Sequence, residues 1–307
     1  MRGNPARAAG TTLLHTVREM RQWREDQRGS GRTVGLVPTM GFLHEGHLSL
    51  VDRCRELAGA TVLSLFVNPT QFGPGEDFAE YPRDLERDLA LSEERGVDVL
   101  FAPEDREMYP VPQSIWVEPG ELARRLCGLS RPTHFRGVLT VVAKLFGIVE
   151  PGVAVFGRKD YQQAVLIRRM VEELRLPVRI EMAPIVREPD GLAMSSRNAY
   201  LSPSEREAAL SLSRGLRRAR AAYAEGDRSP GALRERVRET LEAGGARVEY
   251  VEIVDPESLE PIRSEPGPDA VCAVAAHAGN TRLIDNAPLG EGSSLDEVGG
   301  VGGPAAS

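Results

Sequence analysis

The chain has 307 residues, of which 41% are hydrophobic and 27% charged, and its formal net charge is −7 with a pI near 5.5. That balance is the one soluble globular proteins show, and the length suffices for two domains. An acidic chain argues against a broad nucleic-acid interface, which has to attract phosphates over a wide surface. A small anionic ligand stays possible, because a local cluster of cations can dominate one pocket.

No apolar run reaches the length of a membrane span, so no membrane partner is expected. The opening "MRGNPARAAGTT" lacks the apolar core of a secretory signal, which makes the expected location cytoplasmic. Cys54, Cys127 and Cys272 are odd in number, far apart and form no CxxC. They read as plain thiols, without a disulfide framework or a cysteine metal site.

In chain order, "TVGLVPTM" (33–40) opens apolar and β-branched and meets a proline, which predicts a buried strand leading into a loop. "GHLSLVDRCRELA" (46–58) has apolar residues at 48, 50, 51, 54, 57 and 58, a helical spacing. A strand is expected at 61–69, a charged amphipathic helix at 84–96 and a strand at 97–103. Such alternation builds a parallel sheet with right-handed crossovers. It resumes with a helix at 135–151, a strand at 152–157, a helix at 160–176 and a strand at 177–186.

Past about 185 the texture changes. Helices at 202–226 and 229–245 each begin with Ser-Pro, a good cap pairing, and strands are expected at 247–256, 270–277 and 280–286. The expected organisation is α/β throughout: a parallel-sheet domain over 1–185, a smaller α/β domain over 186–286, and a Gly/Ser-rich disordered tail over 287–307.

Ligands of open parallel sheets bind beyond the carboxyl ends of the strands. One such segment is "GFLHEGHLSL" (41–50), with His44 and His47 three residues apart around Glu45. Zinc proteases use HExxH, with ligands at i and i+4 on one helical face. Here the spacing is i and i+3, and Gly46 sits where a helix should begin. A phosphate suits the strand–loop–helix junction better, since free N–H groups and the helix dipole attract an anion there. Alone, the pair reads equally well as capping or surface histidines.

"FGRKDYQQ" (156–163) also follows a strand and opens a helix. Lys159 is placed for a polyphosphate, Asp160 can cap the helix, and Gln163 stands one turn on. "MSSRN" (194–198) offers two hydroxyls and a guanidinium, a combination that suits phosphate oxygens. An exposed charge run and a capped helix are the plain alternatives for these two. "FVNPTQFGPGEDFAEYPRD" (66–84) reads as a long loop that could wall a substrate, with Gln71 inside it.

The ordered blocks "PTMGFLHEGH", "FVNPTQF", "YPR", "RPTHFRGVLTVVAKLF", "FGRKDYQQ" and "DGLAMSSRNAYL" resemble the pantothenate synthetase (pantoate–β-alanine ligase) family, of the HxGH nucleotidylyltransferase superfamily. The resemblance spans about 12 to 286. It implies a Rossmann-like first domain and ATP-dependent condensation of pantoate with β-alanine through a pantoyl adenylate, releasing pyrophosphate and AMP.

Carried over motif by motif, it implies that His44 and His47 contact the ATP phosphates, with His47 the proton donor. Met40, Gly41 and the loop through Gly46 line the nucleotide. Lys159, Ser195, Ser196 and Arg197 hold phosphates, and His44, His47 and Lys159 form the catalytic set. Gly157, Asp160 and Val186 contact adenosine, and Met194 joins the ATP-binding group. Gln71 and Gln163 bind pantoate, and Gln71 borders the β-alanine path. Mg²⁺ is implied, held mainly by phosphate oxygens, with Asp88 in "DLERD" the one candidate carboxylate, through water. A homodimer is implied too.

Arg158 departs from the family's usual glutamate and reverses a charge beside Lys159. A related nucleotidylyltransferase and an inactive nucleotide-binding regulator are the competing readings. The intact His, Lys, Gln and Ser-Ser-Arg set argues against the second.

Overall fold

The computed structural model describes residues 10–290. Their contacts divide into two compact units. The first holds the chain up to Pro119, then Arg131–Phe156 and Leu166–Ala183; the second holds Gly120–Ser130, Gly157–Val165 and the chain from Pro184 on.

The first unit is built on a six-stranded sheet of β1 (Thr12–Leu14), β2 (Val34–Thr39), β3 (Ala60–Leu65), β4 (Val99–Phe101), β5 (Val153–Gly157) and β6 (Arg179–Ala183). The strand order is β1-β4-β3-β2-β5-β6. Pairs β1–β4, β4–β3, β3–β2 and β2–β5 are parallel. Strand order reverses between β2 and β5, the switch point where such sheets open a crevice for ligands.

The helices of this unit are α1 (Val17–Gly29), α2 (Glu45–Leu57), α3 (Leu85–Glu94) and the single turn α4 (Asp105–Met108). A further turn, α5 (Cys127–Ser130), belongs to the second unit, and α6 (His134–Val149) returns to the first. Helix α7 (Tyr161–Glu173) begins in the second unit and ends in the first. Leu48, Val51 and Cys54 of α2 pack with Val37, Leu63 and Leu100 of the sheet, the stripe that the apolar spacing of 46–58 predicts.

The second unit has α8 (Pro203–Ala224) and α9 (Pro230–Ala243) with an antiparallel sheet of β7 (Arg247–Val254), β8 (Val271–Ala278) and β9 (Thr281–Pro288), in the order β7-β8-β9. Both helices start as the Ser-Pro signals predict. Ser202 accepts the Glu205 N–H and Ser229 the Ala232 N–H, each with proline at the first helical position. Leu212, Leu216, Val237 and Leu241 meet Val251, Ile253, Cys272 and Val274 in its core.

Differences from the sequence expectations have local causes. The strand expected at 61–69 ends at Leu65, because Asn68 turns the chain by accepting the Thr70 N–H ahead of a Pro69–Gln71 turn. The strand expected at 177–186 covers only Arg179–Ala183. Strand β1 and helix α1 lie outside the expected set, although the capping box of Thr16 and Glu19 is legible at 16–19. Segments 120–130 and 157–165 join the second unit, so the cut expected at 185–186 matches only the last crossing. One bond that ties the two segments together runs from the Cys127 N–H to Gln162 Oε1. The tail expectation falls on 287–307. Residues 287–290 continue β9 and its end, and 291–307 lie outside the described residues. All three cysteines are free and buried, and burial pushes the thiols of Cys54 and Cys272 up to about 11 and about 12.

Candidate active site

In the first unit, β2 ends at Thr39 and the chain turns through Met40, Gly41, Phe42 and Leu43 into α2. Gly41 has φ +85 and Phe42 φ +52, a left-handed turn that favours glycine at the first position and is uncommon at the second. His44 is the N-cap of α2, and the N–H groups of His47 (2.8 Å) and Leu48 (3.1 Å) return to its carbonyl. The two imidazoles stack, with centroids 4.0 Å apart and planes 25° apart. Both are half-buried at the carboxyl edge of the sheet. Glu45 is exposed and ion-paired with Arg95 (2.6 Å), which also holds Asp52 (2.7 Å). The residue that gives the stretch its zinc-protease look is thus engaged on the outer side of the helix.

Gln71 comes to the same edge. Its Nε2 lies 3.3 Å from the Met40 sulfur, and its Oε1 accepts from Asn68 Nδ2 at 3.1 Å. Asn68, 1% exposed, is fixed in turn. Its Oδ1 accepts from Tyr109 Oη (2.7 Å) and Thr70 Oγ1 (3.0 Å), and its Nδ2 also donates to the Gly137 carbonyl. Gln71 therefore presents its N–H donors rather than its oxygen. At Gly137, α6 comes so close that a Cβ would collide with the Thr70 carbonyl. The Gln71 carbonyl is held by His134 Nδ1 (2.9 Å) and Arg131, whose Nε donates to Glu76 Oε1 at 2.7 Å. The loop expected at 66–84 is thus strapped down at both ends of its first half. A cavity of about 300 Å³ opens at the ends of β2, β3 and β4, lined by Met40, Gly41, Phe66, Phe78, Arg83 and Asp88 among others.

Asp88, the candidate carboxylate for magnesium, is held by the backbone of the histidine turn. Its Oδ2 accepts the Phe42 N–H at 2.7 Å, its Oδ1 accepts the Leu43 N–H at 2.8 Å, and the residue is 1% exposed. Burial pushes its carboxyl above the ordinary 3.8, against the downward pull of those two N–H groups. Among the described residues no group of three or more His, Cys, Asp or Glu could hold a metal ion.

In the second unit, Gly157 caps a turn over Arg158–Asp160. Lys159 Nζ stands 3.8 Å from Asp160 Oδ2, and Gln163 is half-buried on α7. Asn286 of β9 donates from Nδ2 to the carbonyls of both Arg158 and Lys159, at 3.0 Å each. Val186 and Met194 meet through the Met194 N–H, which donates to the Val186 carbonyl at 3.0 Å. Ser195 then caps the turn Ser196–Tyr200 and accepts the Arg197 N–H. Strand β9 touches both turns, so one strand gathers Lys159 and the Ser195–Ser196–Arg197 run. Arg187, beside Val186, forms a buried two-pronged pair with Asp285 (2.8 and 3.0 Å).

The first unit thus assembles Met40, Gly41, His44, Gly46, His47 and Gln71, and the second assembles Gly157, Lys159, Asp160, Val186, Met194, Ser195, Ser196 and Arg197. Asn68, Tyr109, Arg131, His134 and Asn286 are supporting residues that the sequence reading did not single out. A signal existed for Asn286 alone: "LIDNAP" sets the adjacent pair Asp285–Asn286 among apolar residues.

The family model for pantoate–β-alanine ligases matches residues 12–288. The chain belongs to the pantoate–β-alanine ligase family. The pantothenate synthetase of Heliobacterium modesticaldum is 56% identical over 275 residues, 89% of this chain and 98% of that protein. The crystal structure of the Thermus thermophilus pantothenate synthetase superposes with a TM-score of 0.86 at 47% identity, covering 91% of this chain and all of that one. A Francisella tularensis pantoate–β-alanine ligase, complexed with a β,γ-ATP compound and β-alanine, gives 0.74 at 32% identity over 91% of this chain and 98% of that one. The chain is accordingly a ligase that forms pantothenate from pantoate and β-alanine at the expense of ATP.

Proposed function

We propose that the ligase works in two steps through an acyl adenylate. A pantoate carboxylate oxygen attacks the α-phosphorus of ATP; a P–O bond forms there, the bond to the bridging oxygen breaks, and pyrophosphate leaves. The amine of β-alanine then attacks the acyl carbon, the C–O bond to AMP breaks, and the amine gives up a proton. The pantoate carboxylate is ionised near neutrality and needs no base for the first attack. Its difficulty is like-charge repulsion, so donors and cations on the phosphates carry the catalysis.

The observation that carries this reading is the stacked His44–His47 pair at the start of α2, beside Met40 and Gln71. His44 and His47 act on the phosphates, with His47 donating a proton to the departing oxygen. Met40, Gly41 and Gly46 line the nucleotide, and Gln71 directs N–H donors at pantoate and borders the β-alanine path. Lys159, Ser195, Ser196 and Arg197 hold phosphate oxygens, Gly157, Asp160, Val186 and Met194 contact ATP, and Gln163 binds pantoate. The Francisella complex supports ATP and β-alanine as ligands. Magnesium, where bound, would be held mainly by phosphate oxygens and would offset their charge. We also take the ligase to be a cytoplasmic homodimer, and light scattering tests the dimer against twice the 33.5 kDa chain mass.

Pyrophosphate release with ATP and pantoate alone, and AMP release only on adding β-alanine, is the expected pattern. A nucleotide retained on the product points instead to a transferase, and ATP binding without pyrophosphate points to a regulator. His47→Ala should lower pyrophosphate release by about two orders of magnitude, the usual loss for one preorganised donor, with the melting temperature unchanged. Full activity in that variant removes the histidines from the mechanism.

A further inference from the structure

We infer that Asp88 is a positioning residue for the histidine pair: its carboxyl fixes the turn that aims His44 and His47, and it is not a magnesium ligand. The inference rests on the histidines acting at the phosphates, as proposed above. Each carboxyl oxygen already accepts a short bond from a successive backbone N–H, Phe42 at 2.7 Å and Leu43 at 2.8 Å. The side chain is 2% exposed. Each oxygen keeps a second acceptor site, but at 2% exposure the carboxyl has almost no surface from which to reach a metal-bound water.

The turn needs such a hold. Phe42 sits at φ +52, a conformation uncommon for a residue with a side chain, and it persists where surrounding contacts over-determine it. Gly41, at φ +85, leaves the space that the carboxyl fills: a Cβ there would stand 3.0 Å from Asp88 Oδ2. The grip is firm because Asp88 is itself anchored. It lies in the first turn of α3, its N–H bonds the Asp84 carbonyl at 3.0 Å, and its carbonyl accepts from the buried Ser92 hydroxyl at 2.6 Å.

Displacement of the turn passes straight to the histidines. Leu43 immediately precedes His44, which caps α2 without a side-chain bond to the helix. The His47 N–H is tied to the His44 carbonyl at 2.8 Å, so the two rings move as one stacked unit. Asp88 acts on them through the backbone of Phe42 and Leu43.

The test is Asp88→Asn in the full-length enzyme. The carboxamide keeps one acceptor and turns an amino group toward a backbone N–H. Pyrophosphate release should fall about 10- to 100-fold in kcat, since small misplacements of reacting groups are costly. KM for ATP and pantoate should stay within about threefold. The half-saturating Mg²⁺ concentration should not change, and excess Mg²⁺ should not restore the rate. In imidazole NMR spectra of histidine-labelled protein, the His44 and His47 signals should move while those of His15 and His277 stay.

If that variant fails to fold, Ser92→Ala, which frees the Asp88 carbonyl from its 2.6 Å bond and so loosens the anchor of the carboxyl, should show a smaller fall in kcat with KM for ATP unchanged. A raised Mg²⁺ requirement rescued by excess Mg²⁺ overturns the inference in favour of a metal ligand. Unchanged kcat with unmoved histidine signals overturns it outright. His47→Ala run in parallel separates the two claims. Activity retained there sinks the histidine mechanism, whereas activity lost there but kept in Asp88→Asn sinks only the role of Asp88.

Discussion

In the first unit, a carboxyl on α3 reaches back 46 and 45 residues to two backbone N–H groups of the histidine turn. In the second, an amide on β9 reaches back 128 and 127 residues to two backbone carbonyls of the lysine turn. Both grips are buried, single and bidentate, yet their polarity is opposite. The reason is local. The histidine turn leads into a helix start, where backbone donors lack helical partners. The lysine turn, a short Arg158–Asp160 helix, offers the carbonyls of Arg158 and Lys159 to β9. A carboxylate can only accept and an amide nitrogen can only donate, so each grip is the residue type that its turn requires.

The contrast predicts a ranking, because losing a group that meets the substrate should cost more than losing the residue that holds its backbone. Lys159→Ala should lower pyrophosphate release by about two to three orders of magnitude, the range for removing one preorganised charge or donor. Stopped assays of pyrophosphate read this directly, and a loss below tenfold takes Lys159 out of the phosphate site.

Asn286 comes next, and its polarity can be tested by two substitutions. Asn286→Ala removes both donors and leaves two carbonyls without them, a stability loss of about 1–3 kcal/mol, with activity falling about tenfold. Asn286→Asp should be worse on both counts, since it sets carboxylate oxygens against the two carbonyls. Thermal melts and kcat for both variants check the order. If the aspartate variant matches the alanine variant, polarity is irrelevant to the grip and the comparison with Asp88 fails.

The same contrast explains what could be read in the sequence. Strands β2, β3, β4 and β5 and helices α2, α3, α6 and α7 follow from apolar spacing and proline stops, because each element is written in its own residues. The candidate residues at 40–47, 157–163 and 194–197 follow from contiguous blocks at strand ends. Asp88 and Asn286 were not legible in these roles, because their partners are backbone atoms, which carry no sequence label, far along the chain. Asp88 reads as a metal carboxylate for that reason: composition shows an acid near the site, and only the fold shows the two backbone N–H groups it accepts. Segments 120–130 and 157–165 likewise join the second unit through bonds such as Arg125 to the Ser258 carbonyl and Tyr161 to the Pro256 carbonyl, which no local pattern announces.

The smallest expected effect concerns the strap that holds Gln71, a grip made by half-buried rather than fully buried charge. Burial acts to raise the Glu76 carboxyl, but the bonds and charge of Arg131 outweigh it and bring the group below its ordinary 4.5. A carboxyl depressed in the folded state contributes stability that is present in full above about pH 4.5 and is lost as the pH falls through its lower folded value. Glu76→Gln should therefore melt below the wild type at pH 7, and the gap should close as the pH drops below 4.5. Because Glu76 is a quarter exposed, with its side chain at 26%, solvent screening keeps the difference within about 1 kcal/mol. KM for pantoate should rise by a few-fold at neutral pH, since Arg131 then holds the Gln71 carbonyl less firmly. A gap in melting temperature that persists unchanged from pH 7 to well below pH 4.5 would show that the strap works through packing and not through its charge.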